Sequence, residues 1–466
     1  MKRSRFRDHM PTLLVATLAG TFGTFLLQVT GLLDAVISAD DLAGSSGTVA
    51  LMLALVATVF IVIAVYVSAI VTANTVSTVV AGRTRLIALL RLIGSSARAQ
   101  RGAIAREGLV IGLAGAASGI LIGSGLAFAL EQAAVATGTI PEVAYDYVSP
   151  SVLLPAVAVV LTTWLASWVG SRRVLRVRPI EAIGNAEEAA RDEVVARRGR
   201  HGTALALVVT GGLLLALGVV VGLASPIGVL IGLAGGILSF TGIVLAAQVV
   251  MPPVLRLVGR MLGGSPSARL AAENAVRNPE RSSRTTIGLV IGVTLVTTFS
   301  VTMQSFRELL LAAALDRPGM AEAIDETLTV TITIFTVLIG FSALIAAIGM
   351  VNTLSLSVLQ RTRELGLLRA LGFDRRQLRT MIVAESAALT VAATLTGLVL
   401  GIGYGWAGAQ ALLGSIQGEP RLVVPAMPWA VFGVILVAAA LLTAAASVAP
   451  ARRAMRVSPI VALAVD

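Results

Sequence analysis

RTRLIALLRLIG, residues Arg83 to Gly94, returns 278 positions later as RTRELGLLRALG, residues Arg361 to Gly372. The register holds without a gap from Asn74/Asn352 to Gly123/Gly401. Along it Asn74/Asn352, Thr75/Thr353, Ser77/Ser355, Arg91/Arg369, Arg98/Arg376, Arg101/Arg379 and Glu107/Glu385 are identical pairs. A second match, offset by 280, pairs RRVLRVRPIEAI (Arg172 to Ile183) with RRAMRVSPIVAL (Arg452 to Leu463). One unit is therefore written twice, and in each copy a basic segment stands between two apolar runs.

The apolar runs decide the solvent. Hydrophobic residues make up 56% of the 466 and charged residues 13%, against about 25% charged in a soluble protein. Mean hydropathy is +0.90. Runs of about 18 or more apolar residues read as membrane spans, and ten are present: 11–33, 49–75, 107–131, 150–171, 203–224, 227–250, 286–306, 328–353, 380–404 and 428–450. The expected fold is an all-α integral membrane protein with about ten transmembrane helices, two parallel four-helix repeats joined by a two-helix insertion. Its expected parts are 1–183, the first unit; 184–202, a charged linker; 203–250, the insertion; and 251–466, the second unit with an amphipathic N-terminal segment.

Charge sorts the loops by side. Segments 1–10, 76–106, 172–202, 251–285, 354–379 and 451–466 hold 33 of the 36 Lys and Arg. The other side keeps Arg307, Arg317 and Arg421 against a dozen acidic residues. Basic loops stay on the inner side of a membrane, so both termini and both RTR segments are expected in the cytoplasm. The multi-pass chain is then expected in a bacterial plasma (inner) membrane, with the first span a retained anchor. The basic excess therefore follows the bilayer and gives no reason to expect a nucleic acid.

Within 361–379, Leu365, Leu368, Leu371 and Leu378 recur at helical spacing between arginines and Glu364. This spacing predicts an amphipathic helix, broken at Gly372, with a second short helix starting near Asp374. Such a face can lie on anionic headgroups or dock in a groove of a cytoplasmic protein. Recurrence at fixed register favours a partner that is itself twofold.

The string NTLSLSVLQRTRELGLLRALGFDRRQLRTMIVAES (Asn352 to Ser386) resembles the signature of FtsX/MacB-type permeases of ATP-binding-cassette (ABC) systems. PARRAMRVSPIVAL (Pro450 to Leu463) is similar to that family's closing motif, and ARLAAENAVRNPERSSRTT (Ala268 to Thr286) to its opening amphipathic segment. The resemblance covers spans 1–4 and 7–10. It implies that the loop after the second span of each unit touches an ATPase, and so assigns ATPase coupling to Arg83, Arg85, Arg91, Arg361, Arg363, Glu364, Gly366, Arg369 and Gly372. The implied partners are a cytoplasmic ABC ATPase dimer and the lipid bilayer. A small accessory membrane or extracytoplasmic protein is a further candidate. The first copy departs from the pattern, with Leu86 in place of Glu364 and Ala88 in place of Gly366. Two unequal couplings are expected from this.

The chain itself shows no chemistry of its own. A P-loop requires a lysine after its second glycine, and the only lysine is Lys2. There is no cysteine, and His9 and His201 stand apart from any ligand cluster. The chain is therefore expected to be no enzyme, with no catalytic residue, metal or bound cofactor; ATP and Mg belong in the partner ATPase.

Four further sets of residues carry structural or coupling expectations. Asn74 and Asn352 end spans 2 and 8 as hydrogen-bonding or capping groups. Glu107 and Glu385 begin spans 3 and 9, either as helix caps or as bonds to the preceding coupling segment. Gly119-x-x-x-Gly123 and Gly397-x-x-x-Gly401 allow close helix approach. Trp164, Trp168, Trp406 and Trp429 sit mostly near span ends, as interface anchors do. The expected function is a permease subunit coupling ATP hydrolysis by separate subunits to export or extraction of a lipid-like or amphipathic substrate. The alternative is a non-transporting mechanotransmission or sensing subunit. A secondary carrier fits poorly, since carriers typically invert their repeats and place ionisable groups at midplane.

Overall fold

A computed structural model describes residues 2–38, 84–137, 146–147, 150–176, 198–261, 273, 279–313, 372–415 and 420–456, with scattered positions between 58 and 80. These residues form helices and turns, with no strand among them. The helices are α1 (Lys2–Ser38), α2 (Thr84–Leu92), α3 (Ala97–Ala136), α4 (Leu153–Gly170), α5 (Arg198–Gly222), α6 (Gly228–Met261), α7 (Pro279–Ala313), α8 (Arg375–Leu413) and α9 (Trp429–Arg456). Among the described residues seven helices are long and apolar enough to cross a membrane. They carry the expected spans 11–33, 107–131, 150–171, 203–224, 227–250, 286–306 and 380–404. The tenth run falls in α9, whose apolar stretch is Trp429–Leu441. Described positions of the second are all helical, and the eighth lies outside the described residues.

Helix is dictated by the solvent. In hydrocarbon no water replaces a lost backbone hydrogen bond, so a spanning segment must satisfy its N–H and C=O groups internally. The helices nevertheless overrun the sequence-based boundaries. The amphipathic helix expected before Gly372 lies outside the described residues; Gly372 itself has φ +100, and no separate short helix follows it. α8 runs 39 residues from Arg375, and α3 runs 40 from Ala97, each continuous with its span. At 1.5 Å per residue each is about 60 Å long, roughly twice the hydrocarbon thickness. α1, α6 and α7 likewise continue into segments read as loops.

The chain divides into two compact units, Met1–Ala186 and Glu187–Asp466. In the first, α3 lies between α1 and α4. A methyl built on Gly119 would lie 2.6 Å from the Cα of Gly20, and one on Gly123 2.8 Å from the carbonyl oxygen of Thr21. Backbone meets backbone there. In the second unit α7 packs along α8 in the same way, at Gly397 against Val293, at Gly401 against Thr297, and at Gly405 against Val301. Thr302 adds an interhelical hydrogen bond to the carbonyl of Gly405, 2.9 Å. Lipid tails are as apolar as leucine, so close packing and such bonds hold membrane helices together in place of a hydrophobic drive.

The insertion α5–α6 belongs to the second unit. Its two helices interlock through Gly211 with Gly235 and Gly218 with Gly232. It rests on α8 where Gly222 abuts Ala411 and where the hydroxyls of Ser239 and Tyr404 bond at 2.9 Å. Phe240 meets the Tyr404 ring edge-on. Leu213, Leu217 and Val220 of α5 stay exposed, as side chains facing lipid do.

Gly125 of α3 has nothing within 4 Å of a built methyl, unlike Gly119. Gly119→Leu should therefore lower thermal stability in detergent by the equivalent of about 1–3 kcal/mol, while Gly125→Leu should be neutral. Equal melting temperatures for the two variants would show that the α1–α3 contact is not this close.

Candidate functional site

The repeated RTR segment folds, in the first copy, as the short helix α2 followed by a tight elbow. Gly94 ends it with φ +100, a left-handed backbone that a side chain resists and glycine accepts. Ser95 N–H bonds the carbonyl of Leu90 at 2.9 Å, and Gly94 N–H that of Arg91 at 3.2 Å. This pair of bonds is the Schellman closure of a helix. Ser96 then caps α3, its hydroxyl accepting from the N–H of Ala99 at 3.1 Å. From Gly372 onward, where the described residues of the second copy resume, the same features recur with stronger chemistry. Gly372 also has φ +100. Asp374 accepts from Gln377 N–H at 2.6 Å while the Gln377 side chain accepts from Asp374 N–H at 2.9 Å, a full capping box.

α2 has two faces. Ile87 and Ala88 are buried with Val76, Val80 and Val174, and Ile104 packs against them. This seats the helix on the residues that follow span 2, on the turn after α4, and on the first part of α3. The opposite face leaves Leu89 and Leu92 exposed, and Ile93 is 81% exposed. On a segment flanked by arginines, three bare aliphatic side chains form a compact apolar patch at the tip of the elbow.

The other coupling residues are placed as follows. Arg85 lies in α2, and Arg91 is half-buried in its last turn, where a cation is favoured by the helix dipole. Arg83, Asn74, Asn352, Arg361, Arg363, Glu364, Gly366 and Arg369 lie outside the described residues. Glu107 and Glu385 do not begin helices. Each stands about three turns inside α3 or α8, Glu107 half-buried and Glu385 buried. The capping reading is therefore overturned, because Ser96 and Asp374 cap these helices instead. Among the described residues no group of three His, Cys, Asp or Glu is placed to hold a metal ion.

At the far ends of the units the structure reveals polar clips whose pairings the sequence did not signal. In the first unit the buried Gln28 amide of α1 donates to the Ser124 hydroxyl at 2.9 Å and to the carbonyl of Tyr147 at 3.0 Å. The Tyr147 hydroxyl donates to the buried carboxylate of Glu131. In the second unit the fully buried Gln410 binds a passing strap at both amide ends, donating to the Arg421 carbonyl (2.8 Å) and accepting from Val423 N–H (2.7 Å). Trp406 donates to the Val423 carbonyl at 3.1 Å, and Ser305 accepts from Ala426 N–H at 3.0 Å. Each clip ties the segment entering a unit's last helix to the helices before it. Glu131 at the end of an apolar run was a signal available in the sequence; Gln410 carried none.

The FtsX-like permease C-terminal family model matches the chain twice, at residues 58–179 and 336–459. Together the two matches cover more than half of the chain, and the first includes α2, its elbow, α3 and α4. The ABC transporter permease YknZ of Bacillus subtilis is 35% identical over 144 residues, 31% of this chain and 34% of that protein. The macrolide export ATP-binding/permease protein MacB of Wolinella succinogenes is 31% identical over 150 residues, 31% of this chain and 22% of its own. The pyoverdine export ATP-binding/permease protein PvdT of Pseudomonas savastanoi pv. phaseolicola is 32% identical over 124 residues, 27% and 17% of the two chains. The aligned segments span about a third or less of these relatives. With the same family model recurring on both copies of its internal repeat, this chain belongs to the FtsX-like permease family.

Proposed function

We propose that the chain is the transmembrane permease subunit of an ABC exporter, driven by a separate ATPase dimer that grips the α2 elbow and its counterpart at 361–372. The observation that carries this reading is the apolar patch of Leu89, Leu92 and Ile93 at the tip of α2. The buried face of α2 is anchored on Val76, Val80, Val174 and Ile104, which adjoin spans 2, 4 and 3, so force applied at the patch is passed to the spans. α3 and α8 then conduct it, since each is one unbroken helix from elbow to far end. Glu107 and Glu385 stand on these helices as coupling residues. ATP and Mg reside in the partner, and the chain supplies no catalytic group, metal ligand or cofactor site.

The charge bias of the loops supports both termini and both elbows in the cytoplasm, with the protein in a bacterial inner membrane. A lipid-like or amphipathic substrate suits a membrane part whose exposed faces are apolar. Two relatives are named for export of a macrolide and of pyoverdine, which supports outward transport. The two elbows need not contribute equally, since Glu364 can make a charge-assisted bond that Leu86 cannot.

Ile93→Asp tests the docking surface, because an 81% exposed side chain can change without disturbing the fold. Loss of one central apolar anchor costs about 2 kcal/mol, so co-purification with the ATPase should weaken roughly thirtyfold with melting temperature unchanged. Undiminished association would contradict the assignment.

Gly94→Ala opposes the left-handed elbow by about 1–2 kcal/mol and should lower ATPase stimulation while leaving membrane insertion intact. For the asymmetry, Glu364→Ala should reduce association more than Leu86→Ala does. The reverse order would show that the first elbow dominates.

A further inference from the structure

The third and fourth helices of the first copy are fastened in a way the second copy cannot reproduce. At the elbow end, Arg101 of α3 donates from both Nε and Nη2 to the carbonyl oxygen of Trp168, at 3.1 and 3.0 Å. Its guanidinium carbon lies 3.7 Å from the centroid of the Trp168 ring. One side chain thus clamps a carbonyl at the end of α4 that also accepts from the Ser171 hydroxyl at 2.9 Å, and stacks on the ring of the same residue. Arg172 approaches the same ring at 5.9 Å. Just beyond this clasp, glycines seat α4 against α3. A methyl on Gly108 would meet Ser167 Cβ at 2.5 Å, and one on Gly112 would meet Thr163 Cβ and Val160 Cα at 3.2 Å.

The repeat allows a residue-by-residue comparison. Arg101 corresponds to Arg379, so the cation is kept, but Trp168 corresponds to Val448, which offers no ring. Gly108 and Gly112 correspond to Ser386 and Thr390, both buried. The second copy has thus lost the stacking partner and filled both glycine seats with side chains.

We propose that Arg101 and Trp168 are positioning residues that lock α3 and α4 of the first copy into one rigid hairpin, and that the second copy, lacking the lock, supplies the pair α8–α9 that separates during the transport cycle. This rests on the permease reading, but the lock itself does not. The chain is free of cysteine, so label pairs can be introduced without background. One pair replaces Arg98 and Val169 of the first copy; the other replaces the matching Arg376 and Ala449.

The first measurement uses the permease alone in lipid nanodiscs, with spin labels read by dipolar spectroscopy. The first pair should give a narrow distance distribution and the second a broad one. Arg101→Ala and Trp168→Leu should broaden the first at least twofold, and Arg101→Lys should not rescue it, because an ammonium has neither the fork nor the flat face. Val448→Trp with Ser386→Gly and Thr390→Gly should narrow the second. Equal widths in the unmodified chain, or full rescue by Lys, would overturn the lock. The second measurement adds the ATPase and ATP, and only the second pair should shift. An ATPase that binds and hydrolyses while both pairs move alike, or neither moves, overturns the division of labour. Failure of any ATPase to bind would instead count against the permease reading, leaving the first measurement standing.

Discussion

A backbone amide left without an acceptor in hydrocarbon costs several kcal/mol, and the architecture of this chain depends on how it meets that constraint. Among the described residues, the seven stretches long and apolar enough to cross the bilayer are helical. In α3 and α8 the continuity extends beyond the span into the basic side, so the elbow and the membrane part share one rod. A left-handed glycine, Gly94 or Gly372, stands just before each rod begins. Everything proposed about coupling follows from having rods that start at those turns.

Rods transmit only if they are held laterally. Leucine-rich surfaces cannot do this in lipid, where contact with a tail is as favourable as contact with a helix. The chain instead brings backbones together at Gly119, Gly123, Gly397 and Gly401, where added methyls would collide with the neighbouring helix. Side chain to backbone bonds then close each unit at its far end, through Gln28 and Tyr147 in one and Gln410 and Val423 in the other. The two closures use different residues for the same mechanical purpose, so divergence between the copies preserved the connection and not its chemistry.

Much of the fold was legible in the sequence, for identifiable reasons. Long apolar runs and the alternation of basic loops report the solvent directly, and the 278-residue register exposed the duplication. The elbow glycines were legible because left-handed backbone demands a particular residue. Glu107 and Glu385 were misplaced because hydropathy marks where lipid begins and not where a helix begins. The clips at Gln410 and Tyr147 were invisible because their partners are main-chain atoms, which leave no trace in residue identity. The Arg101–Trp168 clasp lay between the two readings: the arginine stood out by repetition, while its tryptophan read as an ordinary interface anchor.

The central claim is that α3 carries motion from the elbow to the far side as one rod. Proline at Arg106, an exposed position inside α3, removes a helical bond and kinks the rod, at a cost of about 3 kcal/mol. The decisive measurement is the nucleotide-dependent spectral change of a spin label at Ala133, exposed at the far end of α3, in the ATPase complex. The account predicts that the change persists in Arg106→Ala and disappears in Arg106→Pro, although the ATPase still binds. An unaltered response in Arg106→Pro would contradict it.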